Sequence, residues 1–218
     1  MRGCGLPSVS RSWLPSVSRL VTLAVVLTLA ASASCSSSGP SVDLTTFQGD
    51  GYAVGHPPSW EGCVAELPDV KAMAARFAGP TGAAGIPPVL QVSNEGTARP
   101  FEHALRFHEL LFQVSPGFKQ QGGDQDVDVE GAEQSKEIRF TDRPPFGGGG
   151  AQPLVLRGVF VLARTSEGNV VALTLTAEDQ EFSSMSSTFD AIVASFQVGT
   201  DAASQMGQLA QCGQAPSP

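Results

Sequence analysis

Apolar residues recur in this chain with two different periods. The clearest β pattern lies at 154–164 and 169–177, two Val/Leu/Thr-rich arms on either side of Ser166-Glu-Gly-Asn169. β-Branched arms around a short Gly-containing turn predict a hairpin. Residues 45–54 read as a strand pair or one bent strand around Gly49-Asp50-Gly51, stopped by Pro57-Pro58. Segments 70–78 and 89–93 predict two further strands, joined by the Gly/Pro-rich stretch 79–88. Segments 127–130 and 133–141 predict two more.

The period changes to 3.6 at 98–114. Phe101, Ala104, Leu105, His108, Leu111 and Phe112 share one helix face, which Phe107, Leu110 and Val114 widen. Glu102, Arg106, Glu109 and Gln113 leave only a narrow polar stripe, so this helix is expected to be mostly covered by protein. Thr97 is its expected N-cap, with Pro100 in the first turn and Pro116-Gly117 at the end. A second helix is expected over 180–195, with Phe182, Met185, Phe189, Ile192, Val193 and Phe196 at helical spacing. From Gly199 onward the chain is polar and without periodicity. Runs of strands with two one-sided helices predict an α+β fold, an antiparallel β-sheet covered by helices.

The N-terminus has another purpose. Arg2, Arg11 and Arg19 precede a 12-residue, mainly apolar run, Leu20 to Ala31, too short to span a bilayer and suited to a signal core. Small residues Ser32-Ala33-Ser34 lead into Cys35, which resembles a lipobox except that Ser32 stands where an aliphatic residue is usual. The expected organisation is a signal peptide over 1–34, a lipidated flexible tether over 35–44, a folded domain over 45–198 and a polar tail over 199–218. Lipidation at Cys35 is the anchoring reading; an ordinary cleaved secreted protein is its alternative.

Charge narrows the partners. Removing the three arginines of the signal leaves 10 basic against 21 acidic residues, a net charge of −11. Such a chain lacks the electrostatic footprint of a nucleic-acid binder. It is also repelled by anionic headgroups, so membrane association requires the covalent lipid. Of four cysteines, Cys4 leaves with the signal and Cys35 carries lipid, so Cys63 and Cys212 remain in an oxidising compartment. A disulfide between them is expected; two separate thiols are the alternative, because spacing alone does not place their Cα atoms within reach.

Two end segments carry a family resemblance. Thr46-Phe-Gln-Gly-Asp-Gly-Tyr-Ala-Val-Gly-His-Pro-Pro-Ser-Trp60 resembles the opening of PsbP-like domains. Val170-Val-Ala-Leu-Thr-Leu-Thr-Ala177, followed by Phe182 through Ile192-Val-Ala-Ser-Phe196, is similar to their closing strand and helix. That group includes photosystem PsbP proteins, the Ran-binding Mog type, DcrB and actinobacterial lipoproteins of the LpqN type. The resemblance covers roughly residues 45–198, with motifs only at the ends. It implies a PsbP-like α/β sandwich without catalytic residues, in a group whose members mostly bind or stabilise partners.

The remaining motifs are weak. Asp124-x-Asp126-x-Asp128-x-Glu130 begins like a calcium loop, but Val129 and Ser135 stand where Gly and Glu are required, so a solvated strand face is expected. His103 and His108 point about 140° apart on a helix and cannot share a metal from it. His108-Glu109 has Phe112 where a zincin has its second His, so His108 is expected as a satisfied core histidine. Gly147 to Gly150 lacks the Gly-Lys-Ser/Thr of a phosphate loop, and no Gly-x-Ser-x-Gly elbow exists. Phe146, in the loop 143–153, is a partner-contact candidate; Tyr52 and Trp60 are expected in the core. No metal and no cofactor is expected. The resulting expectation is a non-enzymatic lipoprotein on the extracytoplasmic face of the cell membrane, binding or supporting another envelope component. Its alternatives are a carrier of a lipid or small apolar ligand and, more remotely, a hydrolase.

Overall fold

Turns at Gly49–Gly51 and Pro57–Trp60 divide the start of the domain into three strands. They are β1 (Thr45–Gln48), β2 (Tyr52–His56) and β3 (Glu61–Leu67). β4 (Ala72–Ala78), β5 (Val89–Gly96), α1 (Phe101–Gln113), β6 (Lys119–Gln120), β7 (Gln125–Asp126) and β8 (Ala132–Asp142) follow. The chain then forms β9 (Leu156–Thr165), β10 (Val170–Glu178), α2 (Asp179–Ala194), β11 (Gln197–Val198), a 3₁₀ turn (Met206–Gln208) and β12 (Ala210–Gln211). This computed structural model describes residues 42–82, 85–97, 99–115, 117–144 and 154–213. The signal segment, Cys35 and Phe146 lie outside the described residues.

A nine-stranded sheet runs in the order β12-β3-β4-β5-β10-β9-β8-β6, with β7 also on β8. Its pairs are antiparallel except β12 on β3. A second, three-stranded sheet has the order β1-β2-β11. The fold is thus α+β, a mainly antiparallel sheet with two helices.

Strand alternation sorts the large sheet's side chains into two cores. Val159 and Val161 of β9, with Val171, Leu173 and Leu175 of β10, enter one cluster with Phe47, Tyr52 and Trp60. α2 closes this cluster through Phe182, Phe189 and Ile192, and Phe196 just beyond it joins them. Their spacing is the one the helical period predicts. On the opposite face Phe160 and Leu162 of β9 meet Val170 and Ala172 of β10, with Phe101, Ala104 and Leu105 of α1 above them.

One strand was not anticipated, and four expectations are corrected. Residues 61–67 form a strand that alternation did not announce; Gly62, Cys63 and Ala65 are small, and pairing with β4 from Glu61↔Ala78 to Leu67↔Ala72 makes them a strand. The strand expected at 127–130 is instead the short β7 at Gln125–Asp126, after which only Glu130 bridges, to Gln197. Gly131 then takes φ +81° where a Cβ would collide with the Val198 carbonyl, so the chain leaves the ladder there. α1 starts at Phe101 rather than Ala98 and is preceded by Pro100, with no side-chain cap from Thr97; Pro100 disfavours helical backbone in the residue before it. The outer side of α1 is open, with Leu110 55% and Val114 78% exposed. The segment after Val198 also carries structure: Gln205 N–H donates to the Gln48 carbonyl (2.8 Å), and β12 pairs parallel with β3.

Candidate functional site

The site lies where α1 incompletely covers its half of the sheet. Along β5 the period of two sends Leu90 and Val92 into the α2-side core and turns Gln91 and Ser93 toward α1. The register with β10 slips between Val170 and Val171, pairing Val171 with Asn94 and Val170 with Gly96. Glu95 falls in this bulge and joins Gln91 and Ser93 on the cleft floor; bulges re-aim side chains in this way.

α1 supplies the facing wall. His108 follows Phe101, Ala104 and Leu105 on the covered side, and its ring lies 4.8 Å from that of Phe160. Its Nε2 is 2.8 Å from Glu95 Oε1, with the two side chains only 10% and 7% exposed. An ionised carboxylate accepts hydrogen bonds only, so the Nε2 proton is donated to Glu95. This bond satisfies His108 as a core histidine should be, and it places the residue at a cleft as well. Ser93 is 3% exposed and lines the same cleft. Its hydroxyl has no hydrogen-bond partner among the described residues, His108 included.

The cleft has two ends. One, of about 230 Å³, is walled by Leu67, Val70, Leu111, Phe112, Phe160 and Ala172. Phe112 is held in place by rings of Phe118, Phe140 and Phe160, all with centroids within 5.1 to 5.3 Å of its own. The other end, about 360 Å³, shares Asp69, Val70 and Glu95 and opens between Lys71 and Arg99. Arg99 lies over the Phe107 ring, 3.9 Å from its centroid. Lys71 has φ +54°, in the left-handed region uncommon for a side chain other than Gly, Asn or Asp.

The other residues singled out by the sequence do not converge here. Asp124, Asp126, Asp128 and Glu130 are exposed, and Lys136 reaches Asp126 at 3.0 Å and Asp124 at 3.4 Å. Among the described residues no three His, Cys, Asp or Glu side chains gather in a geometry that could hold a metal ion. His103 is exposed. His56 stacks on Phe77 at 4.1 Å, and burial lowers its pKa, the Pro57 carbonyl partly offsetting this. Tyr52 and Trp60 are core residues, and burial holds the Tyr52 phenol well above its usual range. Cys63 and Cys212 are joined by a disulfide, Cα atoms 5.0 Å apart. Glu95, Ser93, Lys71 and Arg99 were not singled out by sequence. The polar alternation Gln91-Ser93-Glu95 against Leu90-Val92 was the available signal.

No helix among the described residues is long and apolar enough to cross a membrane. No protein-family model matches the chain. No curated protein matches it either. Solved structures similar to it include LpqN of Mycobacterium tuberculosis, described as involved in cell envelope biogenesis, at 16% identity over 72% of this chain and 91% of that one, TM-score 0.47. The Saccharomyces cerevisiae Ran-binding protein Mog1p is similar at 15% identity over 72% and 96%, TM-score 0.46. Cyanobacterial PsbP from Synechocystis is similar at 16% over 76% and 97%, TM-score 0.45. Likenesses this distant leave the function of the chain to be argued from its own residues.

Proposed function

We propose that this protein is a non-enzymatic envelope lipoprotein, anchored through Cys35, that binds or supports another envelope protein through the outer side of α1. The observation that carries the contact is the placement of exposed apolar side chains. Among the described residues the large exposed hydrophobics are Met73, Leu110 and Val114. Two of the three, Leu110 near the end of α1 and Val114 at its C-cap, stand about one helical turn apart and form a single apolar ridge. Isolated surface apolar residues need no explanation, but adjacent ones beside a cleft favour a contact. The anchor is supported by the apolar run 20–31, the small residues after it and Cys35.

Tagged protein isolated from native membranes is expected to retain one stoichiometric protein partner. Leu110→Asp with Val114→Asp should lose that partner while its melting temperature stays close to wild type, since exposed substitutions usually change stability by less than about 0.5 kcal/mol. Retention of the same partner by the double variant overturns the α1 contact. Mass spectrometry of the mature N-terminus should find acylated Cys35. An unmodified terminus elsewhere, or unchanged membrane association of Cys35→Ser, overturns the anchor.

A further inference from the structure

We infer that the cleft on the inner side of α1 binds a small neutral aromatic molecule, its ring against Phe112 and Phe160 and its one hydroxyl or amide group on the Ser93 hydroxyl. This goes beyond the partner contact, which uses the outer side of the same helix.

The cleft floor selects a hydrogen-bonding group. Thr174 of β10 lies directly across from Gln91 of β5, and Ser93 follows two positions along on the same face. All three line the cleft, and their side chains make no hydrogen bond among the described residues. Ser93 decides the matter. At 3% exposed it has given up most of its contact with water, and no protein group takes the place of that water. A buried hydroxyl without a partner is destabilising, and a ligand oxygen or nitrogen placed against it removes the penalty. The hydroxyl both donates and accepts, so a phenol, alcohol or amide satisfies it equally.

The walls select the body of the ligand. Leu67, Leu111, Phe112 and Phe160 line the cleft above this floor. Phe112 and Phe160 meet edge to face at 5.1 Å, and the His108 ring lies 4.8 Å from Phe160, so a flat ring continues the packing. The volume of about 230 Å³ exceeds the roughly 150 Å³ that accommodates benzene and falls short of the roughly 300 Å³ at which drug-sized pockets begin. One ring or two fused rings with a single polar group fit between those limits.

Charge disfavours ions of either sign. Glu95 and His108 already engage each other at 2.8 Å. Asp69, the other carboxylate of the cleft, is exposed to solvent, where an ion pair is worth little. An ion entering the cleft would lose hydration without gaining a counter-charge.

The test is equilibrium dialysis of the full-length protein in lipid nanodiscs, with empty nanodiscs as blank, using 2-naphthol, naphthalene, 2-naphthoate and 2-naphthylmethylamine. 2-Naphthol should bind saturably. Naphthalene should bind about tenfold more weakly, the loss of one buried hydrogen bond, and neither ion should saturate at neutral pH. Ser93→Ala should weaken 2-naphthol about tenfold and leave naphthalene unchanged. Leu111→Trp should abolish binding of both; Thr174→Phe, from the sheet side of the cleft, serves if that variant fails to fold. Either ion binding as tightly as 2-naphthol, 2-naphthol affinity unchanged in Ser93→Ala, or no saturable uptake above the blank would each overturn the inference.

Discussion

Phe189→Ala is expected to destabilise the domain by about 3–5 kcal/mol, the range for truncating a buried aromatic in a filled core. Phe189 is 1% exposed, sits mid-way along α2 and meets the Phe182 ring edge-on at 5.4 Å. Its cluster joins the small sheet through Phe47, Tyr52 and Val54 to the large sheet through Val159, Val161 and Leu173. A cavity there loosens two sheets and a helix together, so relaxation cannot readily fill it. Against a typical total of about 5–15 kcal/mol the loss is roughly a fifth or more. Denaturant melting should show the midpoint falling steeply, with Leu110→Ala as the exposed control that barely moves. A midpoint indifferent to Phe189→Ala would falsify the placement of α2.

Replacing both Cys63 and Cys212 by Ser is expected to lower stability by about 2–4 kcal/mol. The cysteines are 149 residues apart, and a loop of that length would in the chain-entropy model give close to 5 kcal/mol. The lower figure follows from what the bridge holds. The segment after Val198 is tied by Gln205 to both backbone groups of Gln48 and by the Cys212 N–H to the Val64 carbonyl. Leu209 and Met206 are only partly buried. Without the bridge this segment can detach before the rest unfolds, which limits the loss. Hydrogen exchange should therefore speed up at 205–212 in the double variant, with smaller changes in β9 and β10. Unchanged protection of 205–212 would show that the bridge is not what fastens the segment.

Local chemistry decided which parts of this fold were legible. The 154–177 hairpin could be read because β-branched arms and their turn are adjacent in sequence. α2 could be read because Phe182, Phe189 and Ile192 keep one period across the whole helix. β3 could not, since its small residues become a strand only by pairing with β4 on one side and, through the disulfide, with β12 on the other. α1 was half legible: its buried side followed the period, but Leu110 and Val114 were assigned cover that no element among the described residues provides. The cleft was the least legible part. Its buried carboxylate depends on a bulge that carries β5 past Ser93 to Glu95, and its basic mouth on a turn that brings Lys71 toward Arg99 from 28 residues away in sequence. His108 was seen, but not what it would bond.

The two margins of the large sheet have a consequence for life at high local concentration. A long unpaired outer strand would offer a row of free amides and carbonyls to any neighbouring copy, the usual route to edge-to-edge association and fibres. Here the last strands are β12 on one side and β6 on the other, each two residues long. On the β8 side the short β7 also lies alongside, with charged Asp124, Asp126 and Lys136 around it. On the β3 side the stub is held covalently. Copies of such a domain crowded on one surface can brush past each other without zipping together, because neither margin presents enough continuous backbone to template a strand.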